Sequence, residues 1–189
     1  MKIANRMEKL SPSVTMAITA LARDLKDQGK DILSFSAGEP DFNTPEVIKQ
    51  SAIKAIQDGY TKYTAVEGII ETKQAIINKL KKDHNLEYQL DHIVVSNGAK
   101  HSLFNLFQLL IEKGDEVIIP APYWVTYPEQ VKYSDGVPVF IETDDSTEFK
   151  VTAQQVKDAI TPKTKILLLN TPSNPTGAVY TRAELEEIG

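Results

Sequence analysis

Apolar positions along the chain follow two rhythms. Over residues 13–29, Val14, Ala17, Ile18, Leu21 and Leu25 recur at helical spacing and Gly29 supplies a stop, which predicts a helix behind an aperiodic arm ending at Pro12. Residues 32–35 read as a short strand running into the turn-rich segment 37–41. A second helix is expected over 45–57, with Thr44 as its N-cap and Pro45 at the first helical position. A third is expected over 68–82, carrying Ile69, Ala75, Ile76 and Leu80.

From residue 92 the apolar runs become short and continuous, with helices between them. The pattern predicts strands at 93–96, 117–119, 137–141 and 165–169 and helices at 99–112, 124–133 and 152–160. Such alternation implies βαβ units, and strands without polar alternation imply a mainly parallel sheet covered on both faces, an α/β fold. Ligands of such sheets gather beyond the carboxyl ends of the strands, which nominates the loops 96–100, 120–124 and 170–177. Thr181 and Glu184 form a capping box for a further helix only about two turns from residue 189. A sheet built in this rhythm would keep an unfinished edge, so the sequence reads as the front part of a longer protein.

Composition narrows the function classes. The 189 residues are 41% hydrophobic and 25% charged with a formal net charge of -5, which excludes disorder, collagen and a disulfide-stapled miniprotein. No basic stretch accumulates, which argues against nucleic acid and anionic membrane surfaces as partners. No apolar run approaches the roughly 20 residues that span a bilayer, and the first residues lack a signal-peptide core. With no cysteine, disulfide and thiol chemistry are excluded, and a cytoplasmic location is compatible.

The nominated loops carry suggestive chemistry. Gly98, Ala99 and Lys100 open a helix, where free N–H groups and a partial positive charge suit an anion such as phosphate; an ordinary tight βα turn has the same pattern. Trp124, the single tryptophan, either stacks on an aromatic ligand or starts a helix and packs inward. In the segment 170–177 two prolines and Gly177 stiffen a polar loop able to hold the Asn174 amide in place, beyond what a plain turn requires. Gly38, within the segment 36–41, either offers backbone N–H groups to a carboxylate or only turns the chain, and Tyr63 is a surface or interface residue between two helices. His84, His92 and His101 lack metal-ligand spacing, no Ser–His–Asp arrangement is evident, and the acidic segment 142–145 reads as a solvated loop.

Taken in order and spacing, Gly38-Glu39-Pro40-Asp41-Phe42, Tyr63 with Gly68, Gly98-Ala99-Lys100 with Phe104-Asn105, Pro122-Tyr123-Trp124 and Asn174-Pro175-Thr176-Gly177 resemble the class I aminotransferases. These are pyridoxal-phosphate enzymes of fold type I, and the resemblance is to the bacterial aspartate aminotransferase branch across the whole chain. It implies an N-terminal arm over 1–12, the N-terminal portion of a small domain over 13–41, and the first part of the large cofactor-binding domain over 42–189. Gly98, Ala99 and Lys100 would hold the phosphate of pyridoxal 5'-phosphate, with Lys100 also helping to receive an acidic substrate. Trp124 would stack on the pyridine ring, and Asn174 would donate to its phenolate oxygen, supporting the electron sink. Gly38 would contact the substrate α-carboxylate. Tyr63 would reach the phosphate of a neighbouring subunit, implying a homodimer onto whose partner the arm crosses.

The resemblance also implies a function: transfer of an amino group from L-aspartate to 2-oxoglutarate. The alternatives are another class I aminotransferase, a β-lyase on the same scaffold, or a non-catalytic binding or dimerisation fragment. The Schiff-base lysine, the aspartate at the pyridine nitrogen and the arginine for the α-carboxylate lie beyond residue 189 in the family pattern, so these residues alone are expected to be inactive. Two departures stand out. Ser11 precedes Pro12 where prephenate-using relatives carry lysine, which leans toward aspartate. Residues 69–72 lack the proline and leucine usual after the Gly68 position, an expected change in packing rather than chemistry.

Overall fold

The computed structural model describes residues 2–12, 14–35, 38 and 40–189. The chain divides into two compact units, one joining the arm to Gly98–Gly189 and the other comprising Val14–Asn97.

The first unit is an α/β layer built on three parallel strands, β1 (Glu116–Ala121), β2 (Val137–Glu142) and β3 (Thr164–Leu167), in the order β2-β1-β3. Helix α4 (Ala99–Leu110) precedes β1, α5 (Thr126–Tyr133) joins β1 to β2, α6 (Ala153–Ala159) joins β2 to β3, and α7 (Arg182–Ile188) follows. The central strand shows why its sequence is apolar without alternation. Val117 and Ile119 join Phe107, Ile111, Tyr127 and Val131 in one cluster, whereas Ile118 joins Ile141, Val151, Val156 and Tyr180 in another. Successive side chains of a strand point to opposite faces, so both faces need apolar residues when both are covered. The capping box of α7 forms as the sequence predicts, Thr181 with Glu184, and α6 has a second one, Thr152 with Gln155.

The N-terminal arm forms a short 3-10 turn, Asn5–Lys9, held on α5 of its own chain. The Arg6 guanidinium lies 5.8 Å from the Tyr133 ring centroid, Lys9 pairs with Asp135, and the Ser11 N–H donates to Glu129 at 2.7 Å. The arm thus finds its charge partners within the same chain.

The second unit contains α1 (Val14–Asp27), α2 (Glu46–Gln57) and α3 (Ile70–His84). Gly29, at φ 79°, ends α1 as its composition suggests, its N–H donating to the Lys26 carbonyl. The start of α2 differs from expectation. Pro45 itself is the N-cap, with ψ 141° and no side-chain cap, and Thr44 makes no capping bond. Thr44 is the residue before a proline and is steered away from helical geometry, while the Pro45 carbonyl receives the Ile48 and Lys49 N–H groups.

The expected strands at 32–35 and 93–96 are not strands among the described residues, because neither finds a ladder partner. In the latter, the Val95 N–H donates instead to the Glu67 carbonyl at 2.9 Å. Ser13 of the expected first helix, and Ser36, Ala37 and Glu39 of the turn-rich segment, lie outside the described residues.

Candidate active site

Helix α4 opens at Gly98, whose φ of 82° and ψ of 165° fall in a region essentially confined to glycine. Gly98 has no side chain with which to cap this end, and the N–H groups of the first turn, including those of Ala99 and Lys100, form a pole of partial positive charge. Lys100 adds a full charge. Its Nζ lies 5.0 Å from the Trp124 ring centroid, and its backbone carbonyl accepts from Gln130 Nε2 at 2.8 Å.

Trp124 follows β1 by three residues and is half-buried. It meets Tyr127 edge-on at 5.5 Å and packs against the Phe107–Val131 cluster, so inward packing and a ring facing a charged group are combined in one side chain. Burial pushes the Tyr127 phenol above its ordinary value, which keeps it neutral.

At the carboxyl ends of β1 and β3 lies a small cleft of about 20 Å³ whose lining includes Pro122, Tyr123, Asn170, Ser173, Asn174 and Tyr180. Tyr123 stacks on Phe140 at 4.9 Å. The Asn174 loop is knotted by its own backbone: the Gly177 N–H donates to the Ser173 carbonyl at 2.8 Å and the Ser173 N–H to the Ala178 carbonyl at 2.9 Å. The cis bonds before Pro122, Pro172 and Pro175 all lie in these two loops.

One unit therefore carries Gly98, Ala99, Lys100 and Trp124 together with the Asn174 cleft. Gly38 and Tyr63 belong to the other unit, where both are exposed. Sequence reasoning missed Gln130 and Tyr180. Gln130 is 9% exposed and grips the first turn of α4; a glutamine inside a helix carries no local signal of that role. The one sequence signal for Tyr180 is its place as an aromatic residue just past a proline-rich loop. Among the described residues no group of His, Asp and Glu is placed to hold a metal ion, and no helix is long and apolar enough to cross a membrane.

Comparison with known proteins agrees with this geometry. The family described as aminotransferase class I and II matches residues 30–189. An aspartate aminotransferase of Bacillus sp. (strain YM-2) is 57% identical over 186 residues, covering 98% of this chain and 47% of that protein. An aspartate/prephenate aminotransferase of Nitrosomonas europaea is 51% identical, covering 100% of this chain and 48% of that protein. The solved aspartate aminotransferase from Thermus thermophilus with maleate superposes with a TM-score of 0.96 at 42% identity, over 100% of this chain and 49% of that one. The chain spans about half the length of the curated relatives it matches. With its parallel sheet, an α4 that opens at Gly98 and a family match over most of its residues, the chain belongs to the class I and II aminotransferases.

Proposed function

We propose that the full-length protein carrying this chain moves the amino group of L-aspartate to 2-oxoglutarate, as a cytoplasmic homodimer. Members of the family depend on pyridoxal 5'-phosphate, and when bound the cofactor supplies an electron sink for the amino acid. The donor set here fits that group. A phosphate suits the first turn of α4 after Gly98 and the Lys100 ammonium, an aromatic ring suits Trp124, and an anionic ring oxygen suits the Asn174 amide at the cleft.

In this reading Gly98, Ala99 and Lys100 bind and orient the phosphate, Trp124 excludes water from one side of the ring, and Asn174 stabilises negative charge on the phenolate oxygen. The Gly38 backbone receives the substrate α-carboxylate. Tyr63 serves the phosphate of a second subunit, and residues 13–41 and 42–189 belong to a small and a large domain respectively. An acidic substrate is favoured by the Lys100 charge. The maleate named with the Thermus thermophilus enzyme, a dicarboxylate, agrees with it.

The observation that carries the proposal is the Lys100 ammonium held 5.0 Å from Trp124 at the open end of α4. The test is oxaloacetate production by the full-length protein from L-aspartate and 2-oxoglutarate, followed through malate dehydrogenase and NADH. Steady oxaloacetate formation is expected. Pyruvate release from a cysteine conjugate without oxaloacetate would replace the proposal with a β-lyase.

A further inference from the structure

Tyr180 stands where the core meets the cleft. It is 8% exposed, packs among Ile118, Ile141, Val151 and Val156, and lines the same cleft as Asn174. Its phenol oxygen accepts the Val151 N–H at 2.8 Å, a bond wholly inside the protein. Its own N–H donates to Thr171 Oγ1 at 3.2 Å. The two bonds tie the end of the Asn174 loop to its beginning and to the chain entering α6. Asn174 has no such anchor: among the described residues nothing hydrogen-bonds its exposed side chain. Its position is set by the loop alone, which is closed by its own backbone bonds and fastened to the core by Tyr180.

We propose that Tyr180 is a positioning residue for Asn174. The hydroxyl, fixed on a buried amide, holds the loop rigid so that the Asn174 carboxamide is presented at one place and in one orientation. Pre-organisation of this kind matters where a single hydrogen bond must meet a developing or resident charge, because a donor free to wander loses most of its effect. The inference rests on the reading of Asn174 as the donor to the cofactor's phenolate oxygen.

The experiment uses the full-length holoenzyme and reads the pH at which the visible absorption band of the bound cofactor changes. A hydrogen bond to the ionised oxygen favours the ionised form, so its loss raises that pH. Asn174→Ala is expected to raise it by about one unit, and Tyr180→Phe, which keeps the ring and removes only the hydroxyl, by roughly half a unit. Cofactor affinity falls several-fold in Tyr180→Phe. A Tyr180→Phe protein that melts earlier yet titrates like the parent would overturn the inference, since Tyr180 would then serve the core alone. If Asn174→Ala itself leaves the titration unmoved, the reading of Asn174 fails and the inference goes with it. Thr171→Val loosens the same loop from its other end and covers the case in which Tyr180→Phe does not fold: a raised midpoint supports the inference, an unmoved one overturns it.

Discussion

Lys100 is held at both ends by the segment that follows β1: its ammonium rests 5.0 Å from the Trp124 ring centroid, and its carbonyl takes the Gln130 amide at 2.8 Å. A lysine at the open end of a helix is ordinarily repelled by the macrodipole. Here the ring quadrupole offsets part of that repulsion, and the charge stays near the first turn of α4, where an anion gains from both. Lys100→Gln is therefore expected to weaken binding of inorganic phosphate and of the cofactor by about tenfold, about 1.4 kcal/mol. Equilibrium titration at low and high salt checks this, and the gap between parent and variant should narrow as salt rises.

Gly98 sets the angle at which α4 begins. At φ 82° and ψ 165° a side chain is strained even though a Cβ there meets no atom within 4 Å. Gly98→Ala is expected to cost about 1–3 kcal/mol or to rotate the first turn. Thermal unfolding and phosphate titration together distinguish the two: a lowered melting temperature with normal affinity indicates strain absorbed in place.

Gly68 illustrates close approach in the other unit. Its φ is 104°, and a Cβ would stand 2.7 Å from Val95 Cγ2 and 2.8 Å from Val95 Cβ, beside the Val95 N–H bond to Glu67. Val95 is β-branched and has little rotamer freedom to retreat. Gly68→Ala should destabilise by about 2–4 kcal/mol, combining overpacking with the left-handed penalty. Gly68→Ala with Val95→Ala should recover the overpacking part only, as a double-mutant cycle read by denaturant unfolding would show.

Glu184 joins the two capping bonds of α7 to Lys150. One oxygen accepts from the Thr181 N–H at 2.6 Å, the other pairs with Lys150 at 2.7 Å, and Lys150 also reaches Glu148 at 3.0 Å. The Lys150 hydrogen bond first, then those from Thr181, hold the Glu184 carboxyl down to about 2 from its ordinary 4.5. A depressed carboxylate stabilises the fold above its unfolded value and loses that contribution as the pH falls through the folded one. The melting temperature should therefore decline between pH 4.5 and about pH 2, and Glu184→Gln, which keeps the helix cap, should flatten that part of the profile.

Much of this was legible in the sequence because the signals are local. The run of Val117, Ile118 and Ile119 reads directly as a strand covered on both faces, and Thr181 announces its helix three residues ahead of Glu184. What escaped depends on distant partners. The residues 93–96 have the composition of a strand, but a strand exists only with a ladder, and Val95 spends its N–H on Glu67. At the site, the charge of Lys100 and the ring of Trp124 were each visible, whereas their contact and the grip of Gln130 on the Lys100 carbonyl arise from the packing of α5 against α4. Nothing in the arm's sequence points to Tyr133 or Asp135, which receive Arg6 and Lys9.

In the proposed function this chain forms part of a site that moves an amino group between acidic amino and oxo acids. The most direct test follows nitrogen itself: the full-length protein, supplied with the cofactor, is incubated with 15N-labelled L-aspartate and unlabelled 2-oxoglutarate, and the glutamate formed is weighed by mass spectrometry. Glutamate carrying the label, formed in step with oxaloacetate, is the expected result. Labelled ammonia released with no labelled glutamate would contradict it.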